Sequence, residues 1–220
     1  MQDRLAYFLG SYLGDGCISP AQNSANGFEF KILSIDKDLI EHVRFILYME
    51  FDSEVSLQNV QKRYWAVSSV KNSVIQYLMK HCGREKRWPE SIWNSDKQSK
   101  IDFLSGLLDT DGYSTYQRDK LIKGAYYDQC RIGFCTTSSW IGKVKLLAKL
   151  LGVNSGEIYL AHNGQKQGHK GKKPVYGLVF NVKTFIEAGC FFRVKRKQNR
   201  VVEYADKYSL LYPHRPYVKR

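Results

Sequence analysis

Two short segments of this chain repeat one pattern, and nearly half of its 220 residues separate them. The first is residues 8–16 (FLGSYLGDG) and the second is residues 104–112 (LSGLLDTDG). Each is an apolar run with helical spacing that ends in an acid followed by glycine, at Asp15 and at Asp111. The repeat predicts two related halves, and each half supplies one carboxylate at the same structural position.

Small residues within the two segments predict how the helices pack. Gly10 and Gly14 are four positions apart, and Gly106 and Thr110 occupy the matching positions. Residues four apart lie on one face of a helix, and small side chains there allow a second helix to approach closely. We therefore expect the two helices to pack along these faces, with both acids at the C-terminal ends. A left-handed glycine cap is expected at 14–16.

Hydrophobic periodicity predicts the same order of elements, α-β-β-α-β-β-α, in both halves. The predicted helices are 4–14, 36–49, 73–81, 100–108, 138–151 and 184–189, and the predicted strands are 17–22, 28–33, 55–60, 64–70, 113–117, 131–136, 155–161 and 175–182. A basic linker and a Trp-Pro pair lie between the halves. The predicted N-terminal repeat with its linker spans residues 1–97, and the C-terminal repeat spans residues 98–220.

The charge of the chain favours a polyanionic partner. The sequence holds 34 Lys and Arg against 21 Asp and Glu, which gives a formal net charge of +13. Chains this basic most often bind nucleic acid, and a generally basic surface is the alternative. Basic residues also alternate with aromatic ones, as at 61–65 and 113–118, which suits strands that contact phosphates and base edges.

The composition disfavours several other classes of protein. No run of about 18 apolar residues occurs, so no membrane span is expected, and the start lacks a signal-peptide pattern. Five cysteines without a CxxC pair predict reduced thiols and no zinc finger. We therefore expect a protein of the cytoplasm with access to the nucleoid, of an organelle or of a phage-infected cell, and not a secreted one. A metabolic enzyme with a carboxylate pair, such as a glycosidase, is opposed by the low acid content.

The predicted pairing of Asp15 and Asp111 has a chemical consequence. Two carboxylates at the negative ends of two helix dipoles repel each other, which does not stabilise a fold. A divalent cation bound between the two carboxylates would offset their repulsion, and Mg²⁺ prefers carboxylate, carbonyl and water oxygens. Metal held this way beside a phosphodiester activates water and stabilises the leaving oxygen. Asp109 has no acidic counterpart, because Leu13 occupies the equivalent position, so we interpret Asp109 as structural.

The segment at 104–112 closely resembles the motif that names the LAGLIDADG homing endonucleases. The segment at 8–16 resembles it more loosely, with Gly10, Asp15 and Gly16 retained. The resemblance covers nearly the whole chain and implies an α+β fold of two pseudo-symmetric αββαββα repeats. Each repeat then has a four-stranded antiparallel sheet, the sheets form a DNA-binding saddle, and the motif helices pack at a central seam.

The same resemblance implies an activity and a metal site. It implies a monomeric, site-specific double-strand DNA endonuclease that hydrolyses a long asymmetric target and leaves short 3′ overhangs. The acid that ends each motif binds the catalytic metal together with the preceding backbone carbonyl, which gives Asp15 with Gly14 and Asp111 with Thr110. Mg²⁺ is the expected cofactor, with Mn²⁺ as a substitute and Ca²⁺ bound without cleavage.

DNA contacts are expected on the strands and in one basic loop. The loop at 163–174 carries four lysines and three glycines and joins two predicted strands, so it is placed to contact phosphates. Arginine recognises guanine and glutamine recognises adenine in the major groove. The candidates by residue type and position are Gln22, Lys31, Gln58, Arg63, Arg118, Arg131, Lys170 and Lys172.

The sequence leaves a second function open. Many family members carry a lysine late in the second strand of each repeat, and these positions are Ile35 and Thr137 here. Their absence favours an RNA maturase or a DNA-binding protein that does not cut. The expected partner is double-stranded DNA, or intron RNA for a maturase, with no membrane and no obligate protein partner. The basic cluster at 193–200 fits a solvated tail helix and a DNA contact equally well.

Overall fold

The computed structural model describes residues 3–21, 27–122, 125–163 and 173–210, and only the backbone of 119–122 and 125–127. The chain forms two compact units, Met1–Thr110 and Asp111–Arg220. The division falls after the second motif helix because that helix packs on the first. The repeat boundary between 97 and 98 concerns sequence symmetry, and it stays a prediction.

In its described residues, the first unit combines four α-helices with one antiparallel sheet. Its elements are α1 (Asp3–Gly14), β1 (Gly16–Pro20), β2 (Phe28–Ser34), α2 (Lys37–Phe51), β3 (Gln58–Val60), β4 (Tyr64–Ser69), α3 (Asn72–His81) and α4 (Lys97–Thr110). A short 3-10 helix, Glu90–Asn94, precedes α4. The strand order in the sheet is β1-β2-β4-β3.

The second unit has its own sheet, with a strand order equivalent to that of the first, and a further helix follows at the end of the unit. Its elements are β5 (Gly112–Ile122), β6 (Ala125–Thr136), α5 (Ile141–Leu150), β7 (Tyr159–His162), β8 (Val175–Phe180), α6 (Val182–Glu187) and α7 (Lys195–Lys207). The strand order β5-β6-β8-β7 repeats that of the first sheet. The α+β fold with two related four-stranded antiparallel sheets is thereby confirmed.

The structure departs from the predicted elements at several places. The predicted strands 55–60 and 155–161 are shorter, Gln58–Val60 and Tyr159–His162, and the predicted helix 138–151 begins only at Ile141. Strands β5 and β6 extend well beyond the predicted 113–117 and 131–136, because the two strands continue to pair with each other as far as Ile122 and Ala125. The cluster at 193–200 begins helix α7, which packs on β5 and β6. Packing of this kind depends on partners distant in sequence, which a local pattern does not reveal.

The helices α1 and α4 form the centre of the first unit. Every residue of α1 from 6 to 13 is buried, and every residue of α4 from 101 to 109 is buried. A helix that is buried on all sides needs neighbours on all sides. For α1 the sheet covers one side, where the rings of Phe8 and Phe30 meet at 5.2 Å, and α4 covers another.

The glycines at 14 and 16 do not form the left-handed cap expected from the sequence. Neither has a positive φ, and Gly16 is the first residue of β1. A Cβ at Gly16 would lie 2.7 Å from Tyr12 Cα, so close packing explains this glycine. All five cysteines are free thiols. Among the described residues, no helix has the length and apolar character that crossing a membrane requires.

Candidate active site and nucleic-acid interface

Backbone contact between α1 and α4 places the ends of the two motif helices. A Cβ at Gly10 would lie 2.2 Å from the Phe103 carbonyl oxygen, and a Cβ at Gly106 would lie 2.3 Å from the Tyr7 carbonyl oxygen. Real Cβ atoms do not approach a backbone oxygen this closely, so only glycine fits at both positions. The predicted packing of the motif helices along their small residues is confirmed.

The same close packing continues to the C-terminal ends of the helices. A Cβ at Gly14 would lie 1.9 Å from Thr110 Oγ1, so the last residues of α1 and α4 touch within the first unit. Asp15 directly follows Gly14, is exposed, and donates its backbone N–H to the Ser11 carbonyl at 3.2 Å. Asp111 directly follows Thr110. Each predicted acid thus leaves the end of a helix whose final residue is in contact with the other helix.

Asp109 differs from both of these acids. Its side chain lies in the core with 1% exposure, and its Oδ2 accepts a hydrogen bond from the Tyr7 hydroxyl at 2.8 Å. Leu13, at the equivalent position of α1, is also buried. The structure therefore supports the interpretation of Asp109 as a structural residue.

Asp111 begins the second unit beside strand β6. Its carbonyl oxygen accepts the backbone N–H of Cys135 at 3.2 Å. Burial raises the pKa of the Cys135 thiol, and the negative charge of Asp111 adds to that increase. Asp111 is therefore close enough to Cys135, near the end of β6, for its negative charge to act on the thiol.

The residues around Asp15 fit a hard divalent cation. The Gly14 carbonyl oxygen accepts a hydrogen bond from the ammonium group of Lys86, which shows that this oxygen is accessible to a positive charge. A carbonyl and an adjacent carboxylate are the oxygen donors that Mg²⁺ and Ca²⁺ use, with water or phosphate completing the shell. Within the described residues, no group of three or more His, Cys, Asp and Glu could hold a metal ion. Around Asp15 the candidate ligands are its carboxylate and the Gly14 carbonyl oxygen.

Two predicted DNA-contacting residues share the open face of the first sheet. Phe30 and Ile32 are buried, so Lys31 between them points to the opposite face of β2. Leu33 lies two residues after Lys31 and therefore on the same face of β2. Leu33 pairs with Ala66, and Ala66 pairs with the exposed Gln58, and paired residues share a face. Lys31 and Gln58 therefore lie on one face, as a strand surface that contacts DNA requires.

The remaining candidates around the first sheet and the basic loop have different outcomes. Arg63 is exposed in the turn between β3 and β4, with its guanidinium 5.4 Å from the centre of the Tyr64 ring. Gln22, Lys170 and Lys172 lie outside the described residues. All four stay predictions.

In the second unit the structure separates Arg131 from Arg118. Arg131 is exposed and precedes buried Ile132, so its side chain points to the open face of β6. Arg118 forms an ion pair with Glu203 of α7, on the side of β5 where the Tyr116 ring meets α7. The two arginines thus lie on opposite faces of the sheet, and only Arg131 shares the open face.

The basic cluster at 193–200 is integrated into the second unit. Ser114 of β5 donates its hydroxyl to the Lys197 carbonyl at 2.7 Å, and Lys197 has 3% exposure. Arg200 donates to the Ser114 carbonyl at 2.8 Å. Lys195 and Arg196 are exposed. The cluster is therefore a packed helix with a basic outer side rather than a solvated tail.

Two glycine–tyrosine contacts on the open face of the second sheet were missed by the sequence analysis. A Cβ at Gly133 would lie 2.3 Å from Tyr113 Cζ, and a Cβ at Gly177 would lie 2.4 Å from Tyr159 Cζ. Burial is the largest cause of a raised pKa of the Tyr113 hydroxyl, and a hydrogen bond with Tyr159 raises that pKa further. Glycine within a strand is a known sign of such close approach, and this signal was available in the sequence.

Lys86 was also missed as a residue of the site. In the sequence, Lys86 is one of the charged residues at 84–87 that form the basic linker between the halves. Its contact with Gly14 depends on how the linker folds back onto α1, and no spacing in the sequence indicates that.

Comparisons with known proteins agree with this architecture. Neither a protein-family model nor a curated protein matches the sequence. A LAGLIDADG meganuclease, I-AabMI, bound to uncleaved DNA, is 12% identical, with a TM-score of 0.57 over 93% of this chain and 91% of that chain. A mesophilic variant of the homing endonuclease I-DmoI is 17% identical, with a TM-score of 0.54 over 84% and 92%. I-SmaMI bound to uncleaved DNA with calcium is 11% identical, with a TM-score of 0.52 over 96% and 94%. The chain has the two-repeat fold of the LAGLIDADG homing endonucleases.

Proposed function

We propose that this chain is a site-specific double-strand DNA endonuclease that requires a divalent metal ion. The observation that carries the proposal is the contact between Gly14 and Thr110 at the ends of α1 and α4. Each of these residues is directly followed by an acid, Asp15 or Asp111. In a chain of net charge +13, a carboxylate directly after each of these helix ends favours chemistry on a phosphodiester.

The proposed roles follow from the oxygens that the chain presents. Asp15 and the Gly14 carbonyl would hold one cation, and Asp111 and the Thr110 carbonyl would provide the equivalent oxygens for the other strand. Bound Mg²⁺ supplies Lewis acidity and lowers the pKa of its water. The open sheet faces that carry Lys31, Gln58 and Arg131 would bind the duplex and fix its position.

The finer features are part of the same proposal. We propose that the chain acts as a monomer on a long asymmetric target and leaves short 3′ overhangs, with Mg²⁺ or Mn²⁺ supporting cleavage. The chain spans most of the length of the solved homing endonucleases that it matches, and several of those proteins were solved in complex with target DNA in the presence of Mn, Mg or calcium. The complexes of those proteins support a divalent metal ion and duplex DNA as the ligands to test first with this chain.

Cleavage of a randomised DNA library, with and without Mg²⁺, tests the proposal. We expect cleavage at one sequence only with metal, and a loss of more than about 100-fold in rate for Asp15→Asn and for Asp111→Asn. Asp206→Asn is the matched control, because Asp206 is an exposed aspartate of α7 far along the chain from both motifs. If Asp15→Asn and Asp111→Asn cut as fast as the parent protein, the proposed site is wrong.

One observation favours a second candidate, a maturase or DNA-binding protein that does not cut. Ile35, 49% exposed, and Thr137, also exposed, provide no ammonium group at the strand ends. This candidate predicts tight nucleic-acid binding that needs no metal and is unchanged by Asp15→Asn. Binding measured with and without EDTA, together with an intron-splicing assay, distinguishes it from the nuclease.

A further inference from the structure

Lys86 reaches the carbonyl oxygen that the proposed function assigns to metal. Its Nζ donates a hydrogen bond to the Gly14 carbonyl oxygen, and its side chain is half-buried. A lysine ammonium carries a full positive charge at neutral pH. The oxygen that precedes Asp15 is therefore already in contact with a cation that belongs to the chain.

The turn that carries Lys86 is fixed on its N-terminal side by α1 itself. The Tyr12 hydroxyl donates to the Gly83 carbonyl at 2.7 Å, and the Arg87 N–H donates to the Cys82 carbonyl at 2.7 Å. Tyr12 lies two residues before Gly14 on α1. The hydrogen bond from Tyr12 therefore ties the turn to the same helix end that Lys86 contacts.

The backbone of Lys86 is held in an uncommon conformation. Its φ is 56°, in the left-handed region that residues other than glycine seldom adopt. Such a conformation persists only where the surrounding structure holds it, and it occurs often at functional sites. Two residues later, the Trp88 ring packs against the Phe103 ring of α4 at 5.1 Å. The turn is thus anchored on α1 before Lys86 and on α4 after it.

We infer that Lys86 is a built-in counter-cation of the Asp15 half of the site. Its ammonium and a divalent cation compete for the Gly14 carbonyl, so Lys86 lowers the metal affinity of this half. The physical basis is the repulsion between two positive charges that are drawn to the same oxygen. The inference rests on the proposed function, because it takes Asp15 and Gly14 as metal ligands.

A purely structural role for Lys86 makes a different prediction. A lysine that hydrogen-bonds the last carbonyls of a helix stabilises that helix end. Removing it would lower the thermal stability of the protein, but it would not increase the affinity for metal. The metal affinity therefore distinguishes the two roles.

Mn²⁺ titration of the isotope-labelled full chain provides the test. Paramagnetic broadening of the backbone amide signals of Gly16 and Cys17 reports Mn²⁺ at Asp15 and does not depend on activity. For Lys86→Met we expect a midpoint roughly tenfold lower in Mn²⁺ concentration than for the parent. Lys86→Arg, which keeps the charge, should stay within about twofold of the parent.

Lys62→Met is the matched control variant. Lys62 is an exposed lysine with a φ of 57°, so the substitution removes the same charge from the same backbone conformation. We expect its midpoint to stay within about twofold of the parent. A midpoint for Lys86→Met equal to or above that of the parent would overturn the inference and leave the proposed function intact.

The failure of the proposed function has a separate signature. If Asp15→Asn keeps the parent midpoint, or if no variant shows broadening at Gly16 and Cys17, the proposed metal site itself is wrong. Broadening in Lys86→Met at a Mn²⁺ concentration where the parent shows none supports the inference in its strongest form.

Discussion

The two motif helices share a backbone arrangement but differ in their side-chain chemistry. Gly10 of α1 and Gly106 of α4 approach the other helix equally closely, because a Cβ added at either would lie 2.2 or 2.3 Å from one of its carbonyl oxygens. In contrast, the last turn of α1 buries Leu13, whereas the last turn of α4 buries Asp109. The comparison shows that the close approach of the helices requires the same small residue in both, whereas the side chains around the contact can differ in polarity. The acids that follow the helices are the shared chemical feature.

The close approach of the helices should have the largest effect on stability. We expect Gly10→Ala and Gly106→Ala each to lower the free energy of unfolding by about 3 kcal/mol, because the new methyl group meets backbone that cannot rotate away. Denaturant unfolding measures the change. Equal losses would confirm the symmetric packing, and a large loss at only one position would contradict it.

Gly142→Ala is the control for those substitutions. Gly142 lies in α5, and a Cβ there meets nothing within 4 Å. We expect this variant to be more stable than the parent by about 0.5–1 kcal/mol, since alanine favours a helix over glycine. A loss of stability in this variant would show that a glycine-to-alanine change in a helix can destabilise the protein without a steric clash. The losses at Gly10 and Gly106 would then not be evidence of close helix packing.

The hydrogen bond from Tyr7 to Asp109 should have the next largest effect. Tyr7→Phe removes a donor from a buried carboxyl group, which we expect to cost about 2 kcal/mol. Tyr12→Phe removes a donor to the Gly83 carbonyl and should cost about 1 kcal/mol, because that acceptor is neutral. Thermal and denaturant unfolding of both variants give the ranking. The reverse order would mean that Asp109 depends little on Tyr7.

Exchanging the side chains at the helix ends tests their asymmetry. Gly14→Ala directs a methyl group at the Thr110 side chain, and we expect a loss of about 1.5 kcal/mol. Combining it with Thr110→Gly removes the obstructing side chain, so the double variant should recover about 1 kcal/mol relative to additivity. A double-mutant cycle measures this coupling, and strict additivity would contradict the contact between the two ends.

The smallest effect concerns the thiols of the two units. Burial raises the pKa of Cys82 and of Cys130 to about 12, whereas Cys17 is exposed on β1. Since the thiolate is the reactive form, iodoacetamide at pH 8 should modify Cys17 at least about 100-fold faster than either Cys82 or Cys130. Mass spectrometry of the digested protein checks this ratio.

The same shift predicts a pH dependence of stability. The pKa of Cys82 in the folded chain lies above its ordinary value of 9.0, so the protonated thiol favours the folded state below pH 9. That contribution is lost as the pH rises from about 9 toward about 12. Cys82→Ala should therefore show a weaker loss of stability over this range than the parent does.

The sequence contained most of the information about the repeat. Glycines four residues before the terminal small residue predicted the contact of α1 with α4, since helical spacing alone places them on one face. Alternating burial around Lys31 was likewise evident from the strand pattern of β2. The position of Arg118 could not be inferred, because its ion pair with Glu203 joins residues far apart in sequence.

What the sequence determined by itself was the pair of motif helices, the acids that follow them and the basic charge, because each depends only on residue type and local spacing. The tertiary structure decided which basic residues share an open sheet face, how the glycines of the second sheet lie under tyrosine rings, and that Lys86 contacts the Gly14 carbonyl. These features arise where separate segments meet in the folded chain, and a side chain that approaches from a distant segment leaves no periodic signal in the sequence.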